Sequence, residues 1–200
     1  MSSIKNNFAY VEPDRELFNA RMKNSLHLCN AMKPMRSKKD KISKIMGENQ
    51  SLIYRGDLKG SRITVQKSND KFSFLNMKME VIHRESNELE HEIKAFSSLL
   101  PDNTGLDGMV TSNNSSSIYV IMDIITPRNI TLSKRLDTLS RMYNDYILDF
   151  GKPEFFSIVE YITITNNEDL TEHLSHSKCK FFTLGNHDSL YIYLGIIRIL

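Results

Sequence analysis

The side chains best suited to metal chemistry are His173, His176, Cys179 and His187, whose H-x-x-H-x-x-C-x7-H spacing offers four ligands of a type that zinc accepts. That spacing matches no common zinc module, and histidines three apart on a helix usually face solvent. The plain reading is surface polar residues, and no metal site is expected. The chain has no GxxxxGK[ST], GxGxxG, HExxH or GxSxG, so phosphate-loop, dinucleotide, zincin and α/β-hydrolase chemistry lack their anchors. No catalytic residue and no cofactor is expected, and an activity would have to be sought at Asp123, His173 or His176. Arg55-Gly56-Asp57 reads as a turn, and the sequons at Asn113 and Asn129 carry no information without secretion. Tyr191 and Tyr193 read as one face of a half-buried strand rather than a base-stacking platform.

Charge is the other chemical resource, and it is unevenly placed. The net charge is +2, from 26 Lys and Arg against 24 Asp and Glu. Lys33, Arg36, Lys38, Lys39, Lys41 and Lys44, opposed only by Asp40, put +5 into the window Lys33 to Met46 and leave −3 for the rest. Clustered charge of this kind marks contact with nucleic acid or an anionic membrane, the alternative being a solvated run that touches nothing. Ahead of it, Leu17, Met22, Leu26, Cys29 and Met32 recur at near-helical spacing. No apolar stretch approaches the ~20 residues that cross a bilayer, and Met1 to Tyr10 lacks an apolar signal core. Cys29 and Cys179 build no disulfide framework, so a reducing, intracellular compartment is expected.

The elements that must position these groups begin near Leu52. Residues 1–50 read as a basic arm and 51–200 as one α+β core of mixed strands around two main helices. Arg62 to Gln66 and Lys71 to Ile82 read as strands, the second with a bulge near Leu75. Leu89, Ile93, Phe96 and Leu100 mark a helix that starts at Asn87 and stops at Pro101. Asp102 to Ser117, rich in Ser, Asn, Asp and Gly, reads as a long exposed loop whose only apolar content is Met109 and Val110. Ile118 to Ile125 has the length of one buried strand, and Thr131 caps a helix ended by Gly151 and Pro153. Phe155 to Thr165 reads as a single strand, Asn167 opens a short helical piece, and Leu190 to Leu200 reads as a closing strand. Leu89, Ile93, Phe96, Leu136, Leu139, Ile162, Ile164 and Ile192 are the expected core.

The run from Lys71 through Val81 followed by the helix from Asn87 to Leu100, with Glu160 to Thr165 running into Asn166-Asn167-Glu168-Asp169-Leu170, resembles the core of rhabdovirus matrix proteins. That resemblance implies a structural protein and not an enzyme. It would bridge an anionic membrane surface and the viral nucleocapsid at the inner face of the virion envelope, and associate with itself. The basic residues Lys33, Arg36, Lys38, Lys39, Lys41 and Lys44 would supply the membrane and nucleocapsid contact. Met109 and Val110 would supply self-association. No PPxY budding motif is present, which would suit a plant- or insect-associated member. A second resemblance is to plant virus movement proteins of the thirty-kilodalton superfamily, which bind nucleic acid non-specifically. It rests on Ile121-Met122-Asp123 and on Gly185 before the last apolar strand.

Overall fold

The computed structural model describes residues 52–56, 60–69, 71–76, 78, 80–82, 87–113, 116–126, 130–166, 168–169, 172–173, 181–186 and 192–196. In chain order these form β1 (Leu52–Gly56), β2 (Ser61–Ser68), β3 (Lys71–Leu75), α1 (Asn87–Ser98), β4 (Thr104–Asn113), β5 (Ser116–Ile125), α2 (Leu132–Phe150), β6 (Phe156–Ile158), β7 (Ile162–Ile164), β8 (Phe181–Asn186) and β9 (Ile192–Ile196). The strands make two sheets, one in the order β3-β2-β4-β5-β6 and one in the order β7-β1-β8-β9. Sequence neighbours β1 and β2 therefore sit in different sheets, as do β6 and β7. The expected α+β class is what the chain adopts. Among the described residues no helix is long and apolar enough to cross a membrane.

Alternation on β2 explains how the larger sheet builds its core. Ile63 and Val65 point to one face and join Phe74, Leu106, Val110, Tyr119, Ile121, Ile124 and Phe156 from the other strands. Against that face α1 lays Leu89, Ile93, Phe96 and Leu100, while α2 contributes Leu139, Met142 and Tyr146, residues recurring at the spacing of one helical face. Phe96 packs edge-on to Tyr146 at 5.8 Å and tilted on Phe156 at 4.8 Å between centroids, so both helices and β6 meet at one aromatic cluster. The Lys67 ammonium bonds the Ser98 and Leu100 carbonyls at 3.1 and 2.8 Å, capping the negative end of α1. The β5–α2–β6 passage returns parallel to β5, the connection for which a parallel pair needs a crossover helix.

Several sequence expectations are corrected. The segment Asp102 to Ser117 is not an exposed loop: Thr104–Asn113 is a central strand bonded to β2 on one side and β5 on the other. Its glycines mislead, because Gly108 is there to let Tyr119 approach. A Cβ at Gly108 would lie 2.6 Å from the Tyr119 ring. The Tyr119 hydroxyl lies 3.0 Å from the Ile63 carbonyl and 3.2 Å from that of Leu106. Lys71 to Ile82 is not one bulged strand. The chain leaves β3 at Leu75, where the Asn76 carboxamide accepts from the Lys78 and Glu80 N–H groups, and turns back so that Val81 bridges Leu75. Phe155 to Thr165 divides into β6 and β7, one in each sheet, despite its even alternation. The α2 boundaries agree with expectation, although the Thr131 side chain makes no capping bond and Gly151 ends the helix at φ 85°. Of the expected core, Leu89, Ile93, Phe96, Leu139 and Ile164 are buried and Leu136 and Ile162 half-buried. The Ile192 side chain lies outside the described residues.

Candidate functional site

The face of β2 turned away from the helices is polar. It presents Arg62, Thr64 and Gln66 at alternate positions, while Ile63 and Val65 serve the core. Directly opposite Thr64 across the ladder stands Asp107 of β4, and directly opposite Asp107 stands Asp123 of β5. Directly paired residues share a face, so these side chains make one row across three strands. The Arg62 guanidinium holds Asp107 with both arms: Nε donates to Oδ1 at 2.9 Å and Nη2 to Oδ2. Just past Asp107 the β4–β5 register slips, leaving Met122 without a ladder partner. Its carbonyl accepts instead from the Tyr161 hydroxyl at 2.5 Å.

Two members of the row are buried without being satisfied. Thr64 is 1% exposed and Gln66 2%, yet among the described residues the Thr64 hydroxyl and both polar atoms of the Gln66 carboxamide have no hydrogen-bond partner. An unsatisfied buried polar group costs about 1–3 kcal/mol, and native folds leave few of them. Gln66 faces Gly105 on β4 and Ser73 on β3, so no side chain stands beside it on the β4 flank.

The second carboxylate is tied down differently. Asp123 accepts from Arg135 Nε at 2.8 Å and Nη2 at 3.0 Å and from its neighbour's N–H at 2.8 Å. Arg135 Nη1 donates to the Ile130 carbonyl at 2.6 Å, which fixes the start of α2 on the end of β5. Burial pushes the Asp123 carboxyl up from the ordinary carboxylate range; the Arg135 fork opposes that, and the neighbouring Asp107 reinforces it. Both carboxylates are thus engaged by guanidinium groups. Among the described residues no three His, Cys, Asp or Glu side chains converge as metal ligands.

Two grooves elsewhere suit an anion less well. One of about 540 Å³ between α2 and the β6–β7 link is lined by Asp137 and Glu160, whose charge repels phosphate. The other, of about 490 Å³, reaches Arg135, whose donors are already taken by Asp123 and Ile130.

The residues singled out from sequence fall elsewhere. Lys33, Arg36, Lys38, Lys39, Lys41 and Lys44 lie outside the described residues, as do His176, Cys179 and His187. His173 is half-buried. Met109 and Val110 sit in β4, with Val110 inside the core cluster and Met109 opposite Arg62, so they are not an exposed loop tip. The sequence reading overlooked Arg62, Thr64, Gln66, Asp107 and Arg135. The signal was present, since a polar residue at every second position of a strand whose other face is Ile-x-Val marks a buried polar face once neighbouring strands cover it.

No protein-family model matches this sequence, and no curated protein matches it. Solved structures do resemble the fold. The ATP-dependent DNA ligase of bacteriophage T7 in complex with ATP superposes with a TM-score of 0.57 at 10% identity, covering 80% of this chain and 63% of its own. An RNA ligase of Naegleria gruberi with AMP and manganese gives 0.59 at 15% identity, covering 80% and 54%. A chain named Pmar-Lig_PreS3 gives 0.61 at 12% identity, covering 80% and 43%. The protein thus spans between two-fifths and two-thirds of the length of these neighbours. These likenesses overturn the matrix-protein resemblance, the movement-protein alternative and the expectation of a purely structural chain, since strand–helix alternation is common to many folds and does not single one out. What the chain shares with these structures is their fold.

Proposed function

We propose that this protein catalyses nucleotidyl transfer from a nucleoside triphosphate bound on the polar face of the five-stranded sheet. The observation that carries this reading is the row of half-buried Arg62 with buried Thr64, Gln66 and Asp107 in a fold shared with ligases solved with ATP and AMP. Fold likeness alone supports many functions; a charged and unsatisfied row beneath it narrows them. Arg62 supplies a guanidinium fork whose permanent positive charge attracts phosphate. Asp107 holds that fork in one orientation before substrate arrives, and such preorganisation is what electrostatic catalysis requires.

Residues 57–59, the link in sequence between β1 and β2, lie outside the described residues; Gly60 ends that link two residues before Arg62. Gly60 lies so close to β4 that a Cβ there would sit 2.2 Å from the Val110 oxygen, which pins the end of the link beside the row. In sequence the link carries Lys59, and a lysine amine in its deprotonated form is a competent nucleophile. Attack by that amine on the α-phosphorus would form a nitrogen–phosphorus bond and break the bond to pyrophosphate. The amine proton is lost to solvent, and the nucleotidyl group is left for a second acceptor.

The basic run from Lys33 to Lys44 would add contacts to nucleic-acid phosphates. Each such contact steepens the salt dependence of binding, and charge reversal of Lys38, Lys39, Lys41 and Lys44 is expected to flatten that slope.

The test is incubation of the full chain with ATP labelled at the α-phosphate. Label is expected on the protein, in a bond labile to acid and resistant to hydroxylamine, and to be lost in Lys59→Ala and Arg62→Ala. Hydroxylamine-labile label would move the acceptor to a carboxylate such as Asp57. No label on protein or on added nucleic acid at saturating ATP would refute the reading.

A further inference from the structure

We propose that Gln66 and Thr64 recognise the nucleoside part of the bound nucleotide, with the Gln66 carboxamide reading an adenine edge and the Thr64 hydroxyl taking a sugar hydroxyl. This rests on the nucleotidyl-transfer reading and deepens it. Arg62, Thr64 and Gln66 lie on one face of β2, two residues apart, so their Cα atoms mark a track of about 13 Å at ~3.3 Å per residue. The end at Arg62 carries the guanidinium that Asp107 orients, the group there suited to phosphate. The end at Gln66 offers one donor and one acceptor side by side, neither used within the fold. That pair matches adenine, whose N6 amino group donates and whose N7 accepts on the same edge, and a glutamine bonds both at once. Guanine shows two acceptors on that edge, O6 and N7, and would leave the Gln66 carbonyl facing like charge. Between the two ends Thr64 presents a hydroxyl that is also unused.

The neighbours of Gln66 across the ladder are small. On β4 the neighbour is Gly105, which carries no side chain, and on β3 it is Ser73. A hydrogen bond made here lies out of water, where it is strongest and where its absence is felt most.

The experiment measures ATP and GTP binding to the full chain by calorimetry, for the wild type, Gln66→Leu, Gln66→Met and Thr64→Val, together with each protein's Tm without nucleotide. Wild type is expected to prefer ATP. Gln66→Leu and Gln66→Met should weaken ATP by about tenfold or more and erase the preference over GTP. Their nucleotide-free Tm should hold or rise, because an unsatisfied amide has been replaced by an apolar group of similar shape. Thr64→Val should weaken ATP and GTP alike. If the Gln66 variants keep wild-type affinity and preference, the base is read elsewhere and the inference falls while nucleotidyl transfer stands. A sharp drop in their nucleotide-free Tm would also overturn it, by showing that the amide serves the fold. Failure of the wild type to bind either nucleotide would remove the inference and the reading beneath it together.

Discussion

The two faces of the five-stranded sheet are made by the same strands and follow opposite rules. On the helix side Ile63, Val65, Leu106 and Tyr119 are buried and satisfied, and even the tyrosine hydroxyl has carbonyls to meet. On the other side Thr64, Gln66 and Asp107 are equally removed from water and Arg62 is half-buried, yet the Thr64 hydroxyl and the Gln66 amide have no partner among the described residues. Burial by itself therefore does not reveal what a strand is for. One face secures the fold; the other leaves polar groups without partners among the described residues, the feature on which the nucleotide-binding proposal rests.

This contrast can be broken first where the effect is largest. Phe96→Ala removes the ring shared by Tyr146 and Phe156 and is expected to cost about 3–5 kcal/mol in denaturant unfolding. Gln66→Leu on the opposite face should cost nothing. Equal losses at both sites would erase the distinction.

The Asp123–Arg135 pair sharpens it next. Arg135→Leu leaves a buried carboxylate without its partner and is expected to destabilise by about 3–5 kcal/mol near neutral pH. The Asp123 carboxyl is already raised by burial above its ordinary value of 3.8, and loss of the guanidinium raises it further. Between 3.8 and that raised value the folded variant holds a proton that the unfolded chain has released, so its stability rises as pH falls through the window. Unfolding titrations at several pH values should show the deficit shrinking on acidification; a deficit independent of pH would mean that Asp123 does not titrate there.

Smaller effects follow. Gly108→Ala drives a methyl to 2.6 Å from the Tyr119 ring and the Val120 carbonyl, and is expected to cost about 1–3 kcal/mol through displacement of that ring. Leu148→Ser, at a side chain 83% exposed near the end of α2, should change stability by no more than about 0.5 kcal/mol.

Legibility in the sequence followed the same division. The helix from Asn87 and the helix after Thr131 were plain because their apolar residues recur at helical spacing and Pro101, Gly151 and Pro153 punctuate them. Strand β4 was hidden because Gly105, Asp107 and Gly108 are loop-type residues in a local reading. Each earns its place from a strand beside it: Asp107 from Arg62, Gly108 from Tyr119. The division of Phe155 to Thr165 between two sheets could not be read from its alternation, which is the same whichever sheet receives it. The polar row was visible as Arg-x-Thr-x-Gln, but a half-buried strand with a solvated face shows the same pattern, and only the ladder to β4 identifies which it is.

The claim that the polar face holds the nucleotide is tested most directly by amide hydrogen exchange of the full chain with and without saturating ATP. Protection is expected to concentrate in 61–68 and 104–110, the segments that carry Arg62, Thr64, Gln66 and Asp107, and to be lost there in Arg62→Ala. Binding that instead protects only α2 and residues 158–163, or ATP-induced protection that Arg62→Ala leaves intact, would contradict it.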